Sequence, residues 1–526
     1  MTQLNNDQGS QWSEIINIVP ITLLILAMII CFKFKILTSS NGAPSLPPGP
    51  YSFPIVGYLP FLGSDLHKQF TNMAHTYGPI FKFYVGSKLH VVINTPDLAK
   101  VVVRDQDEIF ANHNLTVAAS IITYGGQDIA WAQNNSNWRN LRKIFVHEVL
   151  SNKNLDACGP FRRNEVRKTI KNVFCKVGAQ VNISEIAFVT EANVVTNMVW
   201  ENSSNEGAED GDLGADLQMV VSKIVELLGK PNVSDFFPSL AWFDLQGVER
   251  DMKMQLKKID QILERIIDDR IKFNTKRSED RFLAEGKKDF LQILLDLMDR
   301  KDATSLNMIQ IKALLQDIMV AGTETTTTMI EWTMAEIINN HNVMKKVQKE
   351  LEDIVGVNNI VEESHLPKLK YLDATIKETS RLHPVAPLLV PRSPSKTCNI
   401  GGYTILKGCN VFVNVWSIQR DPRYWDNPLE FNPERFLTNK GTHHLDYNGN
   451  NLKFFPFGSG RRLCPGLPLG EKMLMYILAS LLHSFNWSLP TGEAHDLSEK
   501  FGITLKKRNP LVAVPSQRLT DASLYM

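Results

Sequence analysis

The chain has 526 residues, 57 Lys and Arg against 56 Asp and Glu, a formal net charge of +1, and 43% hydrophobic and 21% charged residues. That balance excludes a disordered polyelectrolyte, and no basic arm or stripe of the kind that tracks nucleic acid stands out. Six scattered cysteines without a Cys-x-x-Cys pair exclude a disulfide-stapled scaffold and point to free thiols in a reducing compartment.

Ile15 to Phe32 is an apolar run broken only by Asn17, Pro20 and Thr22. As a helix it spans about 27 Å, enough to cross a bilayer core. Lys33 and Lys35 come directly after it, which places the bulk of the chain on the cytosolic side. Residues 1–37 are therefore expected to carry a transmembrane signal anchor. Residues 38–50, ending Leu46-Pro47-Pro48-Gly49-Pro50, read as a stiff hinge, because clustered Pro fixes φ and blocks helix. Residues 51–526 read as one mainly helical domain with small β-sheets.

Within that domain, Val91 to Asn94 and the segment before it suggest short strands, and helix dominates from Trp138. Asn205 to Asp216, acidic and Gly-containing, reads as a solvated loop, and Lys276 to Lys288 as a charged connector. Leu217 to Leu228 and Met252 to Lys272 carry apolar residues at helical spacing. Leu306 to Glu350 forms one long helical pattern, and another ends at Arg381 before the pre-proline His383. Gly401 to Val415 reads as strands and turns, and Gly466 to Phe485 as a last apolar helix.

The strongest chemical signal is Phe457-Gly458-Ser459-Gly460-Arg461-Arg462-Leu463-Cys464-Pro465-Gly466. A thiolate ligand needs backbone donors, a loop able to approach a flat group closely, and a positive field. Gly460 and Gly466 allow the approach, Arg462 supplies charge, and the helix beginning after Cys464 points its positive end at the sulfur. A buried structural cysteine is the rival for a lone Cys, though not for the whole pattern. Zinc is disfavoured, since no second Cys or His lies at ligand spacing. A second element, Ala321-Gly322-Thr323-Glu324-Thr325-Thr326, puts Gly and consecutive Thr inside a helix, where they are poor formers. Thr325 can bond back to a main-chain carbonyl. Glu378 and Arg381 share a helix face at i and i+3, as do Trp138 and Arg142 at i and i+4. No Walker P-loop occurs, and no Gly-x-Gly-x-x-Gly opens a helix after a strand.

The ten-residue loop resembles the haem-binding loop of the cytochrome P-450 family, Phe-x-x-Gly-x-Arg-x-Cys-x-Gly. The resemblance implies haem b held by Phe457, Gly460, Arg462, Cys464 and Gly466, with Cys464 as the axial thiolate to iron. It implies that Trp138, Arg142, Arg392 and Arg462 reach the haem propionates. Glu324 and Thr325 match the family's Ala-Gly-x-Asp/Glu-Thr pattern and would pass protons, with Glu where Asp is more usual. Glu378, Arg381 and Arg435 would form a buried structural network. By family position, Ile121, Ile122, Ala321, Ala386, Leu388, Leu389 and Phe501 would touch a hydrophobic substrate.

The wording of Asn414-Val415-Trp416 and Arg420-Asp421-Pro422 is similar to the plant microsomal branch. Gly229-Lys230-Pro231-Asn232-Val233-Ser234-Asp235 and Phe501-Gly502-Ile503 are similar to the group that includes sesquiterpene (cadinene) hydroxylases. These likenesses imply a monooxygenase of plant specialised metabolism on the endoplasmic reticulum membrane. It would be fed by a separate NADPH-dependent flavoprotein reductase, docked on a basic surface that includes Lys143 and Arg461. Flavonoid or aldoxime oxidation by the same chemistry is an alternative. Further alternatives are a haem-thiolate isomerase or dehydratase that uses no O2, and a haem-binding membrane protein without catalysis.

Overall fold

A computed structural model describes residues 45–200, 210–279, 289–300, 305–437 and 445–526, and side chains throughout these except for 210–216 and 276–279. The expected anchor, residues 1–37, lies outside the described residues, as do residues 38–44 of the hinge. Among the described residues no helix is long and apolar enough to cross a membrane.

The rest of the hinge is fastened to the body. Lys82 N–H donates to Pro48 O (2.8 Å), Lys82 Nζ donates to Pro47 O, and Thr404 N–H donates to Ser45 O (3.1 Å). Only glycine fits at position 49, where a Cβ would sit 1.9 Å from Lys82 O.

In chain order the principal helices are α1 (Leu66–Tyr77), α2 (Val117–Ile122), α3 (Ser136–Ile144), α4 (Gly159–Phe174), α5 (Ile183–Val199), α6 (Asp210–Gly229), α7 (Val248–Glu279), α8 (Met308–Asn339), α9 (His341–Ile354), α10 (Lys370–Leu382) and α11 (Leu467–Ser484). The strands are β1 (Ile80–Val85), β2 (Lys88–Ile93), β3 (Val181–Asn182), β4 (Cys398–Ile400), β5 (Tyr403–Ile405), β6 (Asn410–Val413), β7 (Phe485–Ser488), β8 (Glu499–Lys500), β9 (Lys506–Lys507) and β10 (Val512–Gln517). β1 and β2 form a hairpin to which β6 adds in parallel, His90 opposite Asn410 and Ile93 opposite Val413. β10 lies between β3 and β7, and β4–β5 and β8–β9 are two-stranded ribbons.

The core is built round α8, which is buried along most of its length and packs against α5, α11, α10 and α6. A capping box starts it: Asn307 Oδ1 accepts Gln310 N–H, and Gln310 Oε1 accepts Asn307 N–H, both at 2.9 Å. Most of its threonines survive burial by turning inward on the helix, while the Thr327 hydroxyl is buried without a partner among the described residues. Thr323, Thr325, Thr326 and Thr328 each donate to the carbonyl four residues back, at 2.6–3.0 Å.

Three expectations about elements need correction. The long pattern from Leu306 to Glu350 is two helices. Asn340, at φ −113 and ψ 78, breaks it: its backbone N–H makes the last helical bond, to Glu336 O (2.9 Å), and its side-chain N–H donates to the same carbonyl (2.9 Å). The acidic stretch expected as a loop over 205–216 is helical from Asp210, because the N-terminal end of a helix favours negative charge. The connector expected over 276–288 begins as the end of α7, which runs to Glu279; residues 280–288 lie outside the described residues.

Candidate functional site

The loop before α11 wraps Cys464. Its N–H donates to Phe457 O (3.0 Å), which closes the turn. Gly460 holds φ +67, and a Cβ there would lie 1.8 Å from Val103 O, so this position admits only glycine. Gly466 differs from expectation. Its φ is −81, and a Cβ would meet only the Cys464 sulfur, at 3.8 Å. Its contribution is a backbone N–H directed at that sulfur, joined by the N–H of Leu467 in the first turn of α11. Burial pushes the Cys464 thiol up, while these two donors and Arg142 oppose the shift.

Three arginines and one histidine gather beside this loop. Arg462 donates to Ala111 O (2.7 Å), Ile129 O (2.9 Å) and Ala132 O, and its guanidinium lies 4.0 Å above the Trp138 ring. Trp138 gives its indole N–H to Ile129 O (3.0 Å) and also underlies Arg142. Arg142 donates to Leu463 O. Arg392, 3% exposed, reaches Ser459 O at 3.4 Å with one nitrogen, while its Nη1 is buried without a partner. Burial, Arg392 and Arg142 together pull Arg462 down to about 9. Burial and Arg142 pull Arg392 to about 10. His113, not anticipated from the sequence, is buried in this cluster, and its Nδ1 lies 2.7 Å from Pro391 O. Burial, Arg462 and Arg392 drive its pKa well below the ordinary imidazole value.

Among the described residues, no carboxylate lies within ion-pair distance of Arg142, Arg392 or Arg462. Buried cations without a counter-ion are costly. Here they lie beside the loop of a thiol that has two N–H donors and Arg142 near it. A planar iron porphyrin bearing two carboxylates fits this donor set: sulfur for the metal, and the unpaired Arg392 nitrogen with Arg142 and Arg462 for the carboxylates.

On α8, Asp317, Ala321 and Thr325 recur at four-residue spacing and so share a face. Ala321 is exposed and Thr325 half-buried in the middle of an otherwise buried helix, so this stretch of the face is not covered by packed side chains. Glu324 is 5% exposed, and its carboxylate is paired with Lys506. Of the expected substrate contacts, Ile121, Ala386, Leu389 and Phe501 are half-buried, whereas Ile122 and Leu388 are within the core. Leu389 sits at φ +51, a left-handed conformation that costs a leucine about 1–2 kcal/mol. Phe501 stacks on His67, centroids 5.1 Å apart.

Glu378, Arg381 and Arg435 are brought together. Arg381 meets both Glu378 oxygens (2.7 and 2.8 Å), and Arg435 Nε meets Oε1 (3.0 Å). The expected reductase contact Arg461 is already engaged with Asp107 (3.2 Å) and Glu108 (3.6 Å).

The structure also shows a carboxyl pair that sequence reasoning missed. Asp317 accepts Ile129 N–H (2.8 Å), Asp128 accepts Trp131 N–H (2.9 Å), and Asp128 Oδ1 has no partner. Burial raises both, and their repulsion raises Asp317 further. A raised carboxyl stabilises the fold in its protonated form. That contribution is complete below the ordinary carboxylate range and is lost as pH climbs through the raised value. The unfolding midpoint should therefore fall as pH rises from the ordinary carboxylate range through about 6, the raised value of Asp128, and Asp317→Asn should flatten that slope. Equal slopes in thermal melts of the two proteins would refute the pairing.

A family model described as Cytochrome P450 matches residues 47–514. Cytochrome P450 76C1 of Arabidopsis thaliana is 36% identical over 96% of this chain and 99% of its own length. Flavonoid 3',5'-hydroxylase of Solanum melongena is 36% identical over 96% of this chain and 97% of its own. An (S)-N-methylcoclaurine 3'-hydroxylase isozyme of Eschscholzia californica is 35% identical over 95% and 99%. A zebra fish cytochrome P450 solved with abiraterone superposes with a TM-score of 0.70 at 26% identity, covering 86% of this chain and 100% of that one.

Proposed function

The chain belongs to the cytochrome P450 family, and from that premise we propose that it hydroxylates a hydrophobic small molecule of plant specialised metabolism, with a sesquiterpenoid as the first candidate. As a P450 monooxygenase it uses haem b, which when bound supplies the activation of O2. What supports the substrate reading is that Ile121, Ala321, Ala386, Leu389 and Phe501, the residues expected at the substrate, are apolar and none is fully buried in the core. A flavonoid is the second reading, favoured because several relatives are named flavonoid hydroxylases. Product analysis with terpenes, flavonoids and aldoximes, in membranes containing an NADPH reductase, tests both. Conversion of none of them, with no NADPH-dependent O2 uptake, would overturn the reading and favour an isomerase or a haem-binding protein without catalysis.

The chain's own residues have three tasks in this reading. Cys464 ligates the metal, with Gly466 and Leu467 N–H groups and Arg142 favouring its thiolate. Arg142, Arg392 and Arg462 bind the carboxylates and orient the macrocycle. Glu324 and Thr325 would hold and move protons at their side-chain oxygens. The Thr325 hydroxyl now rests on Ala321 O (2.6 Å), from which a small rotation frees it. Thr325→Ala should shift reducing equivalents from product to hydrogen peroxide by roughly 100-fold, the lower end of general acid–base effects. Unaltered product per NADPH would count against the role.

We further propose residence on the endoplasmic reticulum membrane. Tyr51 (72% exposed), Phe53, Ile55 and Phe61 lie just after the hinge. Trp242 (79% exposed), Phe243 and Leu245 lie on the segment after α6. The two groups meet through one cluster holding Tyr58, Leu59, Phe83 and Phe236. Such contiguous exposed apolar surface suits lipid. Release of the full chain from membranes by high salt alone would contradict it.

A further inference from the structure

Glu324 lies on the central helix and is almost wholly removed from solvent, yet it is not left to neutralise itself by taking up a proton. Its carboxylate is met by the ammonium of Lys506, which comes from a different element, β9. The backbone that presents Lys506 is fixed. β8 and β9 pair with Lys500 opposite Lys506 and Glu499 opposite Lys507. Glu499 is anchored by Lys68 (2.8 Å), His67 (3.3 Å) and Trp416 (3.3 Å), and Arg508 donates to Glu499 O (3.0 Å). Lys507 is drawn over the Trp332 ring on α8, and Trp332 itself donates to Leu505 O (2.9 Å). The ribbon is thus bolted to α8 on both sides of Lys506. Its turn carries Phe501, which is half-buried against His67. The Lys506 side chain remains about one-third exposed, so one flank of the ion pair faces water.

Resting on the monooxygenase reading above, we propose that Lys506 is a positioning residue for proton delivery, holding Glu324 as an anion at the solvent end of the route to Thr325. An isolated carboxyl this deeply buried keeps a proton and relays poorly. Beside a fixed ammonium it stays ionised, takes a proton from water at the exposed flank and passes it toward Thr325. Lys506 retains its own proton throughout, so no net charge is consumed. Burial lowers the Lys506 pKa, and Glu226 on α6 opposes that shift.

The test uses the full-length holoenzyme with its reductase. Lys506→Met should lower product per NADPH about 10-fold, the effect of roughly one unit in the carboxyl's proton affinity, with peroxide rising in step. Lys506→Arg should restore most of the product. The double variant Lys506→Met/Glu324→Gln should be no worse than Glu324→Gln alone. Additive losses, or normal coupling in Lys506→Met, would overturn the proposal. A second readout does not depend on turnover. Acylation of Lys506, monitored by mass spectrometry, should be several-fold faster in Glu324→Gln than in the unaltered chain, and equal rates would overturn the pairing even if Lys506→Met fails to fold. If Thr325→Ala also leaves coupling intact, the monooxygenase reading fails. If Thr325→Ala uncouples while the Lys506 variants do not, only the proposal for Lys506 fails.

Discussion

Cys464→Ala should abolish the thiolate-type spectrum of the reduced carbon-monoxide complex and, with it, all measurable product, while the polypeptide still folds. The argument is local. The substitution removes one half-buried sulfur from a turn whose shape is set elsewhere, by Gly460 against Val103 and by the bond from Cys464 N–H to Phe457 O, both of which alanine preserves. Loss of stability should stay near 1 kcal/mol, typical of a single substitution. What disappears is the only side-chain atom that receives the converging N–H groups of Gly466 and Leu467. A metal-bound thiol is deprotonated outright, so the upward push of burial is reversed only where iron can reach the sulfur. Cys409 is the control. It is 6% exposed, and burial together with Cys398 pushes its thiol up to about 12. Cys409→Ala should leave the spectrum intact. An unchanged spectrum in Cys464→Ala, or its loss in Cys409→Ala, would overturn the ligand assignment.

Parts of this arrangement were legible in the sequence because their signals are local. The loop from Phe457 to Gly466 and the element from Ala321 to Thr326 are contiguous, and α11 and α10 end within a residue or two of where apolar spacing and the Pro384 rule put them. The pairing of Glu378 with Arg381 is implied by helical spacing, but its burial is not. What escaped were meetings between distant segments. Asp128 and Asp317 are 189 positions apart and Glu324 and Lys506 are 182 apart, and none carries a local pattern that names its partner. His113 looked like one histidine among twelve; only the fold puts it beside Arg392 and Arg462. The break at Asn340 was hidden because apolar periodicity continues across it into α9, where Val343, Met344 and Val347 are buried. The role assigned to Gly466 erred because glycine was read for its conformation, whereas the chain uses its N–H.

Arg381→Met should be the most damaging substitution away from the sulfur. Arg381 and Glu378 are both fully buried, and the guanidinium also serves Gln419 O (2.9 Å), Pro428 O (2.7 Å) and Glu430 O (3.2 Å). Removing it strands the carbonyls of Gln419 and Pro428, leaves Glu430 O to Arg435 alone (3.1 Å), and leaves the carboxylate to Arg435 and the N–H of Asn432 (2.9 Å). Breaking a buried pair in this way costs about 3–5 kcal/mol, against a total stability of about 5–15 kcal/mol. Arg381→Lys should not rescue it, because an ammonium cannot reproduce the planar fork that spans Glu378 and the carbonyls. The damage should also reach the cofactor. Gln419 donates to Ser380 O (2.9 Å) and Arg381 O (3.1 Å), and its Oε1 accepts Phe455 N–H (3.2 Å). Phe455 lies two residues before Phe457, whose carbonyl holds the N–H of Cys464. Even the fraction of Arg381→Met that remains soluble should therefore carry less haem per chain than the parent. By contrast Lys349→Met, which breaks the exposed pair with Asp353, should change neither haem content nor melting. A soluble Arg381→Met protein with full haem content and an unshifted unfolding midpoint would show that the brace is dispensable and that the loop around Cys464 holds its shape alone.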